Sequence, residues 1–203
     1  MLRVRKPIGN IIKSLKRRMS SRRIDFGSKC DEAVDHLVKK GINFLAVDFD
    51  KTFIDVHTGG RFKGTLAELS ACVRPMFIHL FKAAHSKGIK IAIVTFSPQT
   101  RHISDVLEIH FPEFAHEIVI RGRDNTWKYE GNGMRNGKQE FMASAAEELL
   151  NKYGQTMEIT KQTTLLLDDD DSNIEMALKD GVRAIWINPD RSYLLIGDIL
   201  DMP

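Results

Sequence analysis

Residues 43–52 have the sequence Asn43-Phe-Leu-Ala-Val-Asp48-Phe-Asp50-Lys-Thr52, in which a short apolar run ends in two carboxylates one residue apart. A short and continuously apolar run is typical of a parallel strand that is buried on both faces. If the chain stays extended beyond the run, the side chains of Asp48 and Asp50 point to the same side. The stretch therefore predicts a buried strand that carries two acids to one edge of a sheet.

Four similar apolar runs follow along the chain and alternate with helical patterns. The predicted strands are 43–48, 89–94, 117–120, 163–167 and 182–187, and the predicted helices are 30–40, 75–87, 99–109, 139–153 and 172–179. This alternation predicts an α/β fold, a three-layer Rossmann-like parallel sheet with helices on both faces. Because ligands bind beyond the carboxyl ends of the strands in such sheets, the residues that directly follow each strand are the candidates for a functional site.

Polar residues follow two further strands at this edge. Thr95 follows the second strand, and the fourth is followed by Asp168, Asp169, Asp170, Asp171 and Asn173. Carboxylates about 4 Å apart repel by about 4 kcal/mol per pair at an intermediate dielectric, so such a cluster needs a cation. Ligands that are all oxygen favour Mg²⁺ or Ca²⁺, and neither acidic run has the glycine and the closing glutamate of an EF-hand. The sequence therefore predicts Mg²⁺, with Asp170 and Asp171 as solvated neighbours that cap the next helix.

These residues resemble the four ordered motifs of the haloacid dehalogenase superfamily, whose phosphatase members carry them on a Rossmann-like core. Asp48, Asp50 and Thr52 match the D-x-D-x-T first motif, and Thr95 matches the hydroxyl of the second. The remaining matches are Lys138, at the head of a helix, for the lysine of the third motif, and Asp168, Asp169 and Asn173 for the D-D-x-x-x-N fourth motif. The motifs and their strands span residues 44–187, about seven-tenths of the chain.

The sequence departs from the pattern at one position and offers two candidates at another. Lys51 stands where many members of the superfamily have glycine. Lys128 competes with Lys138 for the third motif, and we favour Lys138 because it directly precedes a good helical pattern.

The resemblance implies a magnesium-dependent phosphomonoester hydrolase. In this family pattern Asp48 attacks phosphorus and forms an aspartyl phosphate, while Asp50 protonates the leaving oxygen and later takes a proton from the attacking water. The implied ligands of Mg²⁺ are Asp48, the backbone carbonyl of Asp50, and Asp169. The implied phosphate-binding residues are Thr95 and Lys138, and the supporting residues are Thr52, Asp168 and Asn173.

The spacing between the motifs leaves no room for a full cap domain, the inserted domain that restricts access in many family members. Only 42 residues separate Thr52 from Thr95, and 42 separate Thr95 from Lys138, and helices of the core take part of both. A loop rich in glycine and asparagine is predicted at 121–137. The chain thus resembles the nearly capless members, including magnesium-dependent phosphatases and carboxy-terminal-domain-type protein phosphatases. This implies a phosphorylated protein or another bulky phosphate as substrate, and a small molecule stays open.

The N-terminal part of the chain has a different charge from the rest. Residues 1–29 contain ten Lys or Arg and one acid, whereas the remainder contains 20 basic and 26 acidic residues. Apolar residues at helical spacing predict a basic amphipathic helix in the first 23 residues. We therefore divide the chain into a basic extension, residues 1–27, and a phosphatase domain, residues 28–203. The extension is expected to lie on the acidic body, to target the chain to mitochondria, or to bind an anionic surface such as lipid or nucleic acid.

Cysteine usage favours a location inside the cell. Cys30 and Cys72 form no C-x-x-C pair and are expected to stay reduced, which favours the cytoplasm. No stretch approaches the ~20 apolar residues of a transmembrane segment. Other functions that the residues leave open are a catalytically weak or inactive family member that docks on an anionic partner through its basic helix, and a nucleic-acid or membrane module. A receiver domain is disfavoured. Its phosphoacceptor follows a middle strand and comes after its acid pair, whereas here Asp48 and Asp50 lie at the end of the first predicted strand.

Overall fold

The computed structural model describes residues 26–154 and 158–203, and it contains a five-stranded parallel sheet between two layers of helices. The strands are β1 (Phe44–Val47), β2 (Lys90–Val94), β3 (Val119–Arg121), β4 (Thr164–Asp168) and β5 (Arg183–Trp186). Their order in the sheet is β3-β2-β1-β4-β5, and all neighbours are parallel. The predicted α/β class, a three-layer Rossmann-like fold, is confirmed.

Seven helices and three short helical turns connect the strands in the described part of the chain. The helices are α1 (Phe26–Lys39), α2 (Leu66–Ala71), α3 (Pro75–Ser86), α4 (Thr100–His110), α5 (Gln139–Tyr153), α6 (Asp171–Lys179) and α7 (Leu195–Leu200). The short turns are Phe49–Phe53, Ala115–Glu117 and Pro189–Leu194. The connection between β1 and β2 contains α2 and α3, and the segment between β2 and α5 contains α4, β3 and the loop that follows β3.

The central strand β1 is buried on both of its faces. Leu45 and Val47 belong to the apolar core that α1, α3, α4 and α7 cover, whereas Phe44 and Ala46 belong to the core under α5 and α6. Because successive side chains of a strand point to opposite faces, a strand covered on both faces must be apolar at every position. This explains the continuous apolar run that precedes Asp48.

Most predicted elements are present, and several boundaries differ. The third strand, predicted at 117–120, is Val119–Arg121, because Ala115–Glu117 forms a helical turn in which Glu117 accepts a hydrogen bond from Tyr153 Oη at 3.0 Å. The first helix of the domain, predicted at 30–40, begins at Phe26, two residues before the predicted domain start. The prediction lacks α2 and α7.

The predicted basic helix in the first 23 residues lies outside the described residues. Among the residues that the structure does describe, no helix is both long enough and apolar enough to cross a membrane. Cys30 and Cys72 are both free thiols, the first buried and the second partly exposed.

Candidate active site

The register of the sheet brings the carboxyl ends of three strands to the same level. Val47 of β1 pairs with Ile93 of β2 and with Leu167 of β4. The next residue of each strand end is therefore level with the others, which places Asp48 between Val94 and Asp168. The backbone amide of Asp48 donates to the carbonyl of Leu167 at 2.9 Å and holds this alignment one residue beyond β1.

Lys138 binds all three strand ends. Its Nζ donates to Asp48 Oδ1 at 2.6 Å and to the carbonyl of Val94 at 2.6 Å, and it lies 3.9 Å from Asp168 Oδ2. The Lys138 side chain is 1% exposed. The structure thus brings Lys138 into the predicted site, whereas Lys128 is exposed and lines a separate cavity.

Gly137 makes the turn that presents Lys138 at the start of α5. Its φ of 58° lies in the left-handed region, where a residue with a side chain is strained. A Cβ atom at this position would also lie 3.4 Å from Asn173 Oδ1. The turn therefore favours glycine on conformational grounds.

Three carboxylates form a compact group beside Lys138. One oxygen from each of Asp48, Asp168 and Asp169 lies within 4.8 Å of the other two. Lys138 is the only cation within 4 Å of the group among the described residues, so the ionised group carries more negative than positive charge. A divalent cation with a preference for oxygen ligands, such as Mg²⁺, fits this group. Asp168, predicted as a supporting residue, is a member of it.

Neighbouring donors hold two of these carboxylates in place. Asn173 Nδ2 donates to Asp168 Oδ2 at 3.0 Å, and Thr52 Oγ1 donates to Asp169 Oδ1 at 3.2 Å. Trp186 Nε1 also donates to the backbone carbonyl of Asp169 at 2.7 Å. Such outer contacts orient the ligands of a metal. Thr52 and Asn173 were predicted to support the site, and Trp186 was missed although it lies at the carboxyl end of the fifth predicted strand.

Asp50 faces a different part of the cavity. The chain does not stay extended beyond Asp48 as expected, because Phe49–Phe53 forms a tight turn in which Lys51 has a φ of 56°. The Asp50 carboxylate accepts hydrogen bonds from the Thr58 amide at 3.0 Å, the Thr58 hydroxyl at 2.8 Å and the Gly59 amide at 3.1 Å. It is not a member of the compact carboxylate group.

His57 belongs to the same loop, and its Nδ1 lies 3.2 Å from Asp50 Oδ2. The sequence does not predict His57 as a site residue, because only the turn that folds residues 57–59 back over Asp50 brings His57 to the active-site cavity. The loop fixes the Asp50 carboxylate at the wall of the cavity rather than among the other acids.

Thr95 completes the cavity, whose volume is about 640 Å³. Thr95 is 2% exposed, and its Oγ1 accepts a hydrogen bond from the Ser97 amide at 3.1 Å. Because a hydroxyl also has one hydrogen to donate, Thr95 can still donate to a ligand oxygen. Phe96 and Ser97 line the same cavity and were not predicted as site residues.

Asp170 and Asp171 take the positions predicted for them at the start of the next helix. The Asp170 side chain accepts from the Ser172 amide at 2.9 Å and caps α6, which begins at Asp171. Both residues are exposed.

Burial sets the electrostatics of the carboxylate group. It raises the pKa of Asp48 to about 7, an effect that Lys138 opposes and that Asp168 and Asp169 reinforce. Burial is also the main cause of the raised pKa values of Asp168 and Asp169. A bound cation favours the ionised form of each acid, so cation binding and ionisation of this group support one another.

Comparisons with known proteins give no family. No protein-family model matches the chain, and no curated protein matches it. A solved structure of an uncharacterized protein from Corynebacterium glutamicum is similar, with 16% sequence identity and a TM-score of 0.45, and covers 80% of this chain and 97% of the other. This likeness carries no conclusion about function.

Proposed function

We propose that the chain is a magnesium-dependent phosphomonoester hydrolase of the haloacid dehalogenase type. The observation that carries this proposal is the convergence of Lys138 and three aspartates at the ends of β1, β2 and β4. Phosphoryl transfer needs positive charge around the phosphoryl oxygens and a nucleophile in line with the leaving group. The carboxylate group supplies the cation site, and Lys138 supplies a fixed positive charge.

Asp48 is the proposed nucleophile. One of its carboxylate oxygens forms a bond to phosphorus while the bond between phosphorus and the ester oxygen breaks, and Asp50 gives the leaving oxygen a proton. A water molecule then attacks phosphorus and displaces Asp48, while Asp50 takes the proton of that water. The products are the free alcohol and inorganic phosphate, and both aspartates return to their starting states. Dividing the reaction into two displacements lowers each barrier.

Lys138 and Thr95 hold the phosphoryl group in this scheme. The Lys138 ammonium neutralises charge on the phosphoryl oxygens, and the Thr95 hydroxyl donates a hydrogen bond to one of them. Asp48, Asp169 and the backbone carbonyl of Asp50 would hold the Mg²⁺, with Asp168 beside them. When bound, Mg²⁺ supplies the positive charge that offsets the developing negative charge of the transferred group. Thr52 and Asn173 keep Asp169 and Asp168 oriented.

The substrate proposed here is a phosphoprotein or another bulky phosphate, with a small phosphorylated molecule as the other case. The cavity that holds Asp48 is bounded by single loops, such as residues 57–60 and 95–97, rather than by an added domain. We place the reaction inside the cell, in the cytoplasm or, if residues 1–27 act as a targeting peptide, in mitochondria. The same basic segment is proposed to bind an anionic surface if it is retained.

The test is phosphate release from para-nitrophenyl phosphate by the full-length chain, with MgCl₂ or with EDTA. We expect turnover only with Mg²⁺, and we expect Asp48→Asn to abolish it, because an amide cannot form the aspartyl phosphate. The matched control is Asp31→Asn, an identical change at an exposed position of α1, which should keep full activity. Turnover in EDTA, or activity of Asp48→Asn near that of the unmodified chain, would contradict the proposal. Mg²⁺ binding without turnover would instead support the inactive binding-protein alternative.

A further inference from the structure

A second cavity adjoins the active site and has no role in the proposed reaction. Its volume is about 520 Å³, and residues 122–135 form most of its wall. Arg123, Lys128 and Arg135 provide three cations against the two acids Glu130 and Glu140, and Trp127 and Tyr129 provide aromatic surface. Because Arg135 lies beside Glu140, the cations of this cavity that can face an anionic ligand are Arg123 and Lys128.

Phe96 joins the two cavities. It lines the active site, and its ring is in cation–π contact with a cation from each side of the boundary. Lys138 Nζ lies 4.3 Å from the ring centroid, and the guanidinium carbon of Arg123 lies 3.9 Å from it. The distance between these two atoms is therefore at most the sum of the two distances, about 8 Å. Any group bound to Arg123 would thus lie close to a phosphoryl group bound to Lys138.

The position of Arg123 relative to the active site is fixed by its backbone. The Arg123 amide donates to the carbonyl of Ser97 at 3.1 Å, and Ser97 lines the active-site cavity. Gly122 packs so closely that a Cβ atom on it would lie 2.5 Å from the Ser97 oxygen. Trp127 Nε1 donates to the carbonyl of Gly122 at 2.7 Å and closes the loop behind Arg123.

Arg123 has no acidic partner within the described residues. Asp124, its neighbour in the chain, accepts instead from the hydroxyls of Thr100 and Thr126. Arg135, by contrast, lies 3.6 Å from Glu140 and is in cation–π contact with the Tyr129 ring. Arg123 is exposed, and its planar guanidinium can bind a carboxylate or a phosphate through two hydrogen bonds.

We infer that Arg123 binds a second anionic group on the substrate, close to the phosphoryl group that is transferred. This inference rests on the proposed phosphatase function and names the substrate class: phosphomonoesters whose leaving group carries another negative charge. The exposed Lys128 lines the same cavity and adds positive charge around that group.

Two kinds of substrate have this chemistry. In an extended phosphopeptide, side chains two residues apart point to the same side and are about 7 Å apart, so an acidic residue two positions from the phosphoresidue is within reach of Arg123. In a small molecule, a second phosphate group would take the same place.

The test compares matched substrates on the full-length chain with Mg²⁺. The first pair is a phosphoserine peptide with glutamate two positions away and the same peptide with glutamine there. The second pair is a sugar bisphosphate and the corresponding monophosphate. We expect kcat/KM to favour the more anionic member of one pair by about tenfold. Arg123→Gln should bring the ratio of the two kcat/KM values to about one. Arg123→Lys should restore part of the preference, because lysine keeps the positive charge but cannot form the two parallel hydrogen bonds of a guanidinium.

The control is Arg191→Gln. Arg191 follows β5, at the opposite edge of the sheet from β3, so this variant should keep the kcat/KM ratio of the unmodified chain. A preference within the peptide pair identifies an acidic phosphopeptide, and a preference within the sugar pair identifies a bisphosphorylated small molecule. Equal kcat/KM values within both pairs, or a preference that survives in Arg123→Gln, would overturn the inference. Hydrolysis of para-nitrophenyl phosphate is measured in parallel, and its absence would overturn the proposed phosphatase function itself.

Discussion

Lys138 Nζ lies 2.6 Å from Asp48 Oδ1, although the two residues are 90 positions apart in the chain. Their side chains are 1% and 10% exposed, so this is an ion pair within the protein interior. Removing one partner of such a pair leaves the other charge buried without compensation, which costs more free energy than the intact pair contributes. The contact therefore links the fold of the sheet edge to the chemistry proposed for it.

Lys138→Met is expected to lower the free energy of unfolding by about 3–5 kcal/mol in EDTA, because Asp48 and Asp168 lose their shared cation. Urea denaturation measures the change. Lys128→Met is the control and should change the free energy of unfolding by less than about 0.5 kcal/mol, since the Lys128 side chain is exposed. A loss below about 1 kcal/mol in Lys138→Met would show that this ion pair does not hold the site together.

Asp169→Ala and Thr52→Val are expected to weaken Mg²⁺ binding to different degrees. The first removes a proposed ligand, and the second removes only the hydrogen bond that orients it. Loss of an outer contact typically weakens metal affinity about 10–100-fold, and loss of the ligand should cost more. Isothermal titration calorimetry gives the dissociation constants, with Asp31→Ala on the surface of α1 as control. Unchanged affinity in Asp169→Ala would exclude Asp169 as a ligand.

Lys51→Gly is expected to stabilise the protein. Lys51 has a φ of 56°, and this left-handed conformation costs about 1–2 kcal/mol for a residue with a Cβ atom but little for glycine. After the greater chain entropy of glycine is subtracted, we expect a gain of about 1 kcal/mol, or a rise in Tm of about 2–4 °C. Lys51→Ala removes the charge and keeps the strain, so it should give no gain. Equal stabilisation by both variants would assign the effect to charge.

The elements that sequence patterns predicted well are those with a single physical cause. The run before Asp48 is apolar because β1 is covered on both faces, and the polar residues after each strand collect at one edge because the strands are parallel. The α2 helix had a signal that was overlooked, since Thr65 and Glu68 form a capping box at its start.

The remaining features depend on contacts that local sequence does not encode. The loop that brings His57 to Asp50 forms because the chain reverses at Phe49–Phe53, where an extended segment was expected. The contacts of Arg123 with Ser97 and Phe96 join residues of different loops that are 26 and 27 positions apart in the chain. Periodicity and turn residues give no information about such pairings.

The stability of the folded protein at alkaline pH should depend on Tyr153. Burial, reinforced by the hydrogen bond to Glu117, raises the pKa of Tyr153 to about 12. Because the unfolded chain ionises its tyrosine at about pH 10, this contribution to stability is complete below that pH and is lost as the pH rises toward 12. Ultraviolet titration should show one of the three tyrosines ionising late, and Tyr153→Phe should remove that component. Simultaneous ionisation of all three would contradict the burial of this hydroxyl.

The aspartyl phosphate on Asp48 is the central claim, and chemical trapping tests it most directly. The full-length chain is mixed with Mg²⁺ and para-nitrophenyl phosphate, quenched in acid, and treated with borohydride, which reduces an acyl phosphate to an alcohol. Peptide mass spectrometry should find homoserine at position 48 only when substrate and Mg²⁺ are both present, and never in Asp48→Asn. Steady turnover with an unmodified Asp48, or trapping at a different residue, would contradict the proposed mechanism.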